Sequence, residues 1–347
     1  MAARVPSFAK INLGLHIGHL RDDGFHQLRT VYQTVALHDV IRISVERGSG
    51  IEIRGKDPRV PKDSTNTCWK IAERAMAALK AKGRVVIEIE KRLPVQGGLG
   101  GASGNAVAAL LGLERSLRRQ LSVADRLRIA AEVGSDIPLF LVGGTILGVG
   151  RGEEVYPLPD LAATPCVIAL PEIAVSTPKA FADWDENIAE DGYAGTGEDA
   201  RPRIAVAKLT ASAPSDRMSL FSREISAWLS AAEIKHSRAS GVSARLKRGG
   251  RAESLLLDLV RTGIENDFEK VVFPEYPELR EVKSVLERAG AIYASLSGSG
   301  SAIYGLFATR EKAAAAAKKL ERQGTRAVVT STLTRRQYWR KLLAFSS

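Results

Sequence analysis

The chain has 347 residues, of which 45% are hydrophobic and 26% charged, and a formal net charge of +11. That size and balance suit two packed domains and argue against disorder, and no apolar run approaches the roughly 20 residues that cross a bilayer. Cys68 and Cys166 stand far apart without a metal-ligand spacing, so both read as small buried apolar residues rather than as a disulfide or a zinc site.

Residues 1–12 lack the apolar middle and cleavage site of a signal peptide, so a cytoplasmic location with no membrane partner is expected. The positive charge is compatible with nucleic acid, a membrane surface or polyanionic small molecules. Much of the excess, however, sits in residues 235–251 and at Arg335, Arg336, Arg340 and Lys341. No aromatic residue interleaves the first of these stretches, as base stacking would require. They read as a solvated basic loop and a basic tail, and no nucleic-acid partner is expected.

In chain order, residues 9–17 and 31–37 read as extended apolar segments of a buried β layer. Residues 85–90 alternate apolar and charged side chains, the pattern of a strand with one wet face. They run into Pro94 and the glycine run Gly97-Gly98-Leu99-Gly100-Gly101-Ala102-Ser103-Gly104-Asn105. Residues 106–117 then show helical spacing, giving strand, glycine loop, helix. Ser122 and Asp125 mark a helix start, and Gly134 marks its end. The apolar, glycine-punctuated residues 136–149 predict a turn into strands.

Residues 183–203 are acidic and residues 235–251 basic, framing a weak core pattern around a helix candidate at 218–232. This region reads as an insertion with loops. The core pattern returns with helices at 253–260 and 277–289, strands at 291–296 and 302–307, a Thr309-started helix at 310–323 and a strand at 326–330. Helices and strands alternate here, which predicts a second α/β sandwich.

Glycines between a strand and a helix let backbone N–H groups approach an anion, and the helix N-terminus adds its dipole. Phosphate is the ligand that fits, although the run is neither a Walker loop nor a dinucleotide fingerprint. A structural glycine turn stays open as the alternative. The second cluster, Gly298-Ser299-Gly300 within residues 296–302, would alone pass for a tight turn. Phosphoryl transfer to an alcohol needs a cation and a carboxylate that takes the hydroxyl proton. Lys10, inside an apolar strand, and Asp136, after a helix end, are the candidates; a buried ion pair without chemistry would place them equally well.

Residues 94–106 resemble the ATP loop of the GHMP kinases, and residues 296–302 resemble their third glycine motif. Ala9-Lys10-Ile11-Asn12-Leu13, Asp23-Gly24-Phe25-His26-Gln27-Leu28 and Gly134-Ser135-Asp136-Ile137-Pro138 resemble the branch whose alcohol is a cytidine diphosphate methylerythritol. The resemblance covers residues 7–180 and 253–310. It implies an α+β fold of two domains: an N-terminal one like ribosomal protein S5 domain 2 over residues 1–155, and a C-terminal ferredoxin-like sandwich over 156–347. The insertion occupies about 183–252 of the second.

It further implies ATP and Mg2+ as cofactors, and a small-molecule substrate taken by a monomer or homodimer. Asp136 is then the base, and Lys10 orients it. Pro94, Gly97, Gly98, Leu99, Gly100, Gly101, Ala102, Ser103, Gly104 and Asn105 hold ATP. Asn12, Phe25, His26, Phe181, Gly298, Ser299 and Gly300 hold the substrate, with Phe181 opposite the cytosine-recognising pair Phe25 and His26. Gly104 stands where the family often has serine and Asn105 where it often has aspartate, which leaves the metal ligands unassigned. Phe25 stands for a common tyrosine and Gln27 for a frequent glutamate. Two other readings stay open: a GHMP kinase for homoserine or mevalonate, and a nucleic-acid binder on an S5-like fold.

Overall fold

A computed structural model describes residues 2–95, 97–193 and 264–344. Strand β1 (Ala3–Leu20) pairs antiparallel with β2 (His26–Glu46) along one edge of β2. The other edge of β2 bonds β4 (Arg84–Glu90) over Val40–Glu46 and β5 (Thr145–Val149) over Thr30–Gln33. β3 (Ile51–Gly55) lies parallel to β4, and β6 (Glu154–Pro157) completes six strands by pairing with β5. Helices α1 (Thr67–Ala78), α2 (Gly101–Leu117), α3 (Val123–Val133) and α4 (Leu139–Val142) pack on this sheet through a core that includes Ile41, Ile43, Ile71, Leu110 and Phe140.

The second sheet runs β10 (Arg326–Ser331), β7 (Pro165–Leu170), β9 (Ile303–Leu306), β8 (Tyr293–Leu296), antiparallel throughout. Its inner strands β7 and β9 are buried on both faces, and side chains on a strand alternate between faces. Val167 and Ala169 of β7 pack with helices α5 (Thr177–Tyr193), α6 (Glu269–Glu275), α7 (Pro277–Arg288) and α8 (Arg310–Arg322). Cys166, Ile168 and Leu170 meet Ala9, Ile11 and Leu13 of β1 instead. The layers are therefore helix, sheet, sheet, helix. The same parity sends Lys10 and Asn12 to the opposite side of β1, and register shifts between Phe8 and Ala9 and between Asn12 and Gly14 bracket them. Such bulges re-aim side chains beside sites.

Four sequence expectations change. The glycine run is only partly loop, because α2 already begins at Gly101. Residues 136–149 do not turn directly into strands: Pro138 fits the start of the one-turn helix α4, which Gly143 ends with φ +71°. The acidic stretch from 183 begins as helix, since α5 continues to Tyr193 with Ala180 and Trp184 buried in the second core. The basic tail is not simply solvated. Residues Arg335–Ala344 form helix α9, which buries Tyr338 and Leu342 in the first core, while Arg335 Nη2 donates to Thr145 O at 2.9 Å and Leu158 O at 3.2 Å. Arg336, Arg340 and Lys341 are exposed as expected. The helices expected at 218–232 and 253–260 and the basic stretch 235–251 lie outside the described residues. Both cysteines are free and buried, and burial pushes the Cys68 thiol up to about 12.

Candidate active site

Lys10 is 4% exposed, and a cation at that depth needs partners. Its Nζ donates to Asn12 Oδ1 at 2.7 Å and stands 3.4 Å from Asp136 Oδ2. Asn12 Nδ2 donates to Thr30 Oγ1 at 2.7 Å, and the Thr30 hydroxyl donates to Gly14 O at 2.7 Å. This chain of donors fixes the Asn12 amide with its oxygen toward the lysine.

Asp136 sits in the turn between α3 and α4, and its side chain is 34% exposed. Tyr32 OH donates to its Oδ1 at 2.9 Å. Burial of Tyr32, then the charge of Asp136 and the hydrogen bond to it, hold this hydroxyl protonated well above the usual tyrosine value. One carboxylate oxygen thus faces a cation and the other a neutral donor. The lysine and aspartate are not a sealed ion pair, because both line an open cavity.

The glycine run docks on this cluster. Lys10 N donates to Leu99 O at 3.0 Å. Gly100, at φ +66°, caps α2, and no side chain caps that helix, so N–H groups of its first turn remain available to an anion. A β-carbon at Gly100 would lie 2.9 Å from Phe140 Cζ and 3.0 Å from Lys10 Cγ. At Gly98, φ +70°, a β-carbon would fall on Ser297 O of the second glycine cluster. The two clusters are in fact bonded: Ser297 Oγ donates to Gly98 O at 3.0 Å and Ala302 N to Gly97 O at 3.3 Å. Asn266 Nδ2 holds the second cluster from behind, donating to Leu296 O at 2.9 Å and Gly298 O at 2.8 Å. The plain-turn reading of residues 296–302 therefore gives way to one wall of a site.

Two cavities meet at the run. One, of about 340 Å3, is lined by Pro94, Gly97, Gly98, Leu99, Gly100, Gly101, Ala102, Ser103 and Asn105, together with Lys91. The other, of about 740 Å3, is lined by Lys10, Asn12, Phe25, His26, Tyr32, Asp136, Arg151, Phe181, Gly298 and Ser299. Gly98, Gly100 and Ser103 line both. Gly104 lines neither cavity, and a β-carbon there would point at Phe8 O, 2.7 Å away, and Ser7 Oγ, 2.9 Å away. A serine at this position would face β1, not a phosphate. Gly300 is likewise outside both linings; its β-carbon direction meets Leu296 Cδ1 at 2.9 Å.

At the far end of the larger cavity, Phe181 stacks on His26 with ring centroids 4.9 Å apart and planes 6° from parallel. The two rings form one platform with no slot between them, so Phe181 supports the histidine as well as facing the cavity. His26 Nε2 lies 2.8 Å from Asp185 Oδ1. Nε2–H donates to that carboxylate, and the Nε2-protonated tautomer leaves Nδ1 as an acceptor. Phe25 is 51% exposed, and the Arg151 guanidinium lies 5.0 Å from its ring centroid.

Tyr32, Arg151, Asp185 and Lys91 belong to the site yet carry no sequence signal of their own. Tyr32 and Asp136 are 104 positions apart, and a tyrosine within an apolar strand passes for core. Lys91 Nζ, salt-bridged to the buried Asp39 at 2.6 Å, would lie 3.4 Å from a β-carbon on Gly101, which puts a cation beside the start of α2.

The family described as "GHMP kinases N terminal domain" matches residues 66–144, and "GHMP kinases C terminal" matches residues 247–326. A 4-diphosphocytidyl-2-C-methyl-D-erythritol kinase of Solibacter usitatus is 33% identical over 345 residues, covering 99% of this chain and 93% of that protein. One from Acaryochloris marina is 34% identical, covering 90% and 89%. Among solved structures, a 4-(cytidine 5'-diphospho)-2C-methyl-D-erythritol kinase superposes with a TM-score of 0.66 at 26% identity, covering 95% of this chain and 98% of that one. A homoserine kinase from Cytophaga hutchinsonii also reaches a TM-score of 0.66, at 20% identity, and so shares the fold. The two-domain α+β architecture is that of the GHMP kinases.

Proposed function

The chain belongs to the 4-diphosphocytidyl-2-C-methyl-D-erythritol kinase family of the GHMP kinases, and from that premise we propose how its cleft moves the γ-phosphate of ATP to the 2-hydroxyl of 4-diphosphocytidyl-2-C-methyl-D-erythritol. The observation that carries the reading is the Lys10, Asp136 and Tyr32 cluster, placed where the two cavities share Gly98, Gly100 and Ser103.

ATP takes the smaller cavity, with its phosphates against the N-terminal turn of α2 and beside Lys91. The alcohol takes the larger one. Its cytosine lies against Phe25 and the His26–Phe181 platform, where His26 Nδ1 accepts from the exocyclic amine of the base. The diphosphate runs between these rings and Lys10, and Arg151, beside Phe25, is the one arginine or lysine besides Lys10 among the described lining residues. Asp136 accepts the hydroxyl proton as the oxygen attacks, and Tyr32 and Lys10 hold the carboxylate in line. Lys10 and the α2 turn meet the charge that builds on the transferred phosphoryl, so most of the rate comes from positioning and electrostatics.

A magnesium ion fits this site. The Asn105 amide oxygen is buried without a hydrogen-bond partner, and with the Ser103 hydroxyl it offers oxygen donors at the start of α2. No group of three His, Cys, Asp or Glu side chains among the described residues could cage a metal, which suits an ion that draws most of its ligands from phosphate and water. Bound there, it would neutralise charge on the nucleotide.

The test is ADP release with a panel of alcohols. The cytidine-diphosphate substrate should support turnover at least about 100-fold faster than homoserine or mevalonate, in line with a site built to hydrogen-bond one ligand. Equal or faster turnover with either rival would remove the reading.

A further inference from the structure

Helix α9 supplies no side chain to either cavity, yet it touches the elements that carry the reacting groups. Tyr338 is 1% exposed. Its ring lies 5.3 Å from that of Phe8, two residues before Lys10 on β1. Its hydroxyl donates to Phe140 O at 2.6 Å, four residues after Asp136. Trp339 Nε1 donates to Val142 O at 3.0 Å, and Arg115 Nη2 of α2 donates to Leu342 O at 3.3 Å.

A helix of four residues leaves nearly all its carbonyls without intrahelical partners. In α4, Leu139 O receives Gly143 N, and two others receive side chains of α9. A β-carbon on Gly143, at φ +71°, would run into the Tyr338 ring, so the chain leaving α4 is also shaped by that ring. The Phe140 ring lies against Gly100, the cap of the phosphate-facing helix.

We propose that α9 is a strap that sets the separation of Lys10 and Asp136, with Tyr338 and Trp339 as positioning residues for phosphoryl transfer; the inference rests on the kinase reading above. Tyr338 stands between the strand that bears the cation and the turn that bears the base. Removing its hydroxyl and the indole N–H frees α4 to shift, and a misplacement of about 1 Å in a reacting geometry costs up to about 100-fold in rate.

The experiment uses the full chain with Tyr338→Phe, Trp339→Phe and both together, which remove the two donors and keep an aromatic ring at each position. Steady-state kinetics are run well below the Tm of each variant, with Arg336→Ala on the exposed face of α9 as control. The expected result is a kcat about tenfold lower in the double variant, KM for ATP and for the alcohol within about twofold of the parent, and no change in the control. Packing alone would lower Tm and leave kcat intact. A folded double variant with kcat within about twofold of the parent, or a loss confined to KM, would overturn the proposal. If the double variant does not fold, Trp339→Phe alone decides by the same criterion, its indole being only partly buried. Failure of the parent itself to turn over the cytidine-diphosphate substrate sinks the kinase reading, a different result from an active parent with unaffected variants.

Discussion

Asp136 divides its two oxygens between a cation and a hydroxyl that keeps its proton. Asn at this position keeps the shape and can still accept from Tyr32, but it cannot take a proton. Asp136→Asn should therefore lower kcat by about two to four orders of magnitude while KM for ATP changes little. Tyr32→Phe, which removes one donor to the carboxylate, should cost about tenfold in kcat. Steady-state kinetics of both variants check this, and an Asp136→Asn enzyme within about tenfold of the parent would remove Asp136 as the base. Because the Tyr32 value is raised above its ordinary one, the hydroxyl stays a donor from neutral pH through the ordinary tyrosine range near 10. Lys10 and Asp136 were legible in the sequence because a charge in an apolar segment is costly and so attracts notice. Tyr32 was not, since nothing in a strand distinguishes a buried tyrosine that donates to a carboxylate from one that only packs.

The two glycine clusters work as one element. Gly98 has a positive φ and no room for a side chain, with Ser297 O where a β-carbon would stand. Gly98→Ala should push the clusters apart and raise KM for ATP by about tenfold or more, with a loss of about 1–3 kcal/mol in unfolding free energy from strained backbone. ATP titration with thermal melts reads both, and an alanine enzyme with unchanged ATP affinity would contradict the account. The strand, glycine run and helix were legible because each has a local pattern: alternation in β4, glycines at the turn, helical spacing in α2. The packing of the second cluster on the first was not, being a contact across almost 200 positions. Helices α5 and α9 were missed for another reason. In each, a few buried apolar residues, Ala180 and Trp184 or Tyr338 and Leu342, are outnumbered by charges that read as loop or tail.

Over the whole molecule, the cleft exists because β1 serves two cores at once. Its Ala9, Ile11 and Leu13 bind the sheets together, while Lys10 and Asn12 face the site. The division of the chain near residues 155 and 156 into two domains is our proposal, and α9 qualifies it, since Leu333, Tyr338 and Leu342 return to the first core. The layered α+β order was legible from alternating segments, whereas the return of the chain end was hidden by its charge. The central claim is that one phosphoryl group passes from ATP to one named hydroxyl. Following a complete turnover by 31P NMR tests it most directly. The account predicts one new phosphomonoester, at the 2-position of the methylerythritol unit, for each ADP formed. ATP consumption with no new ester, or an ester on another hydroxyl, would contradict it.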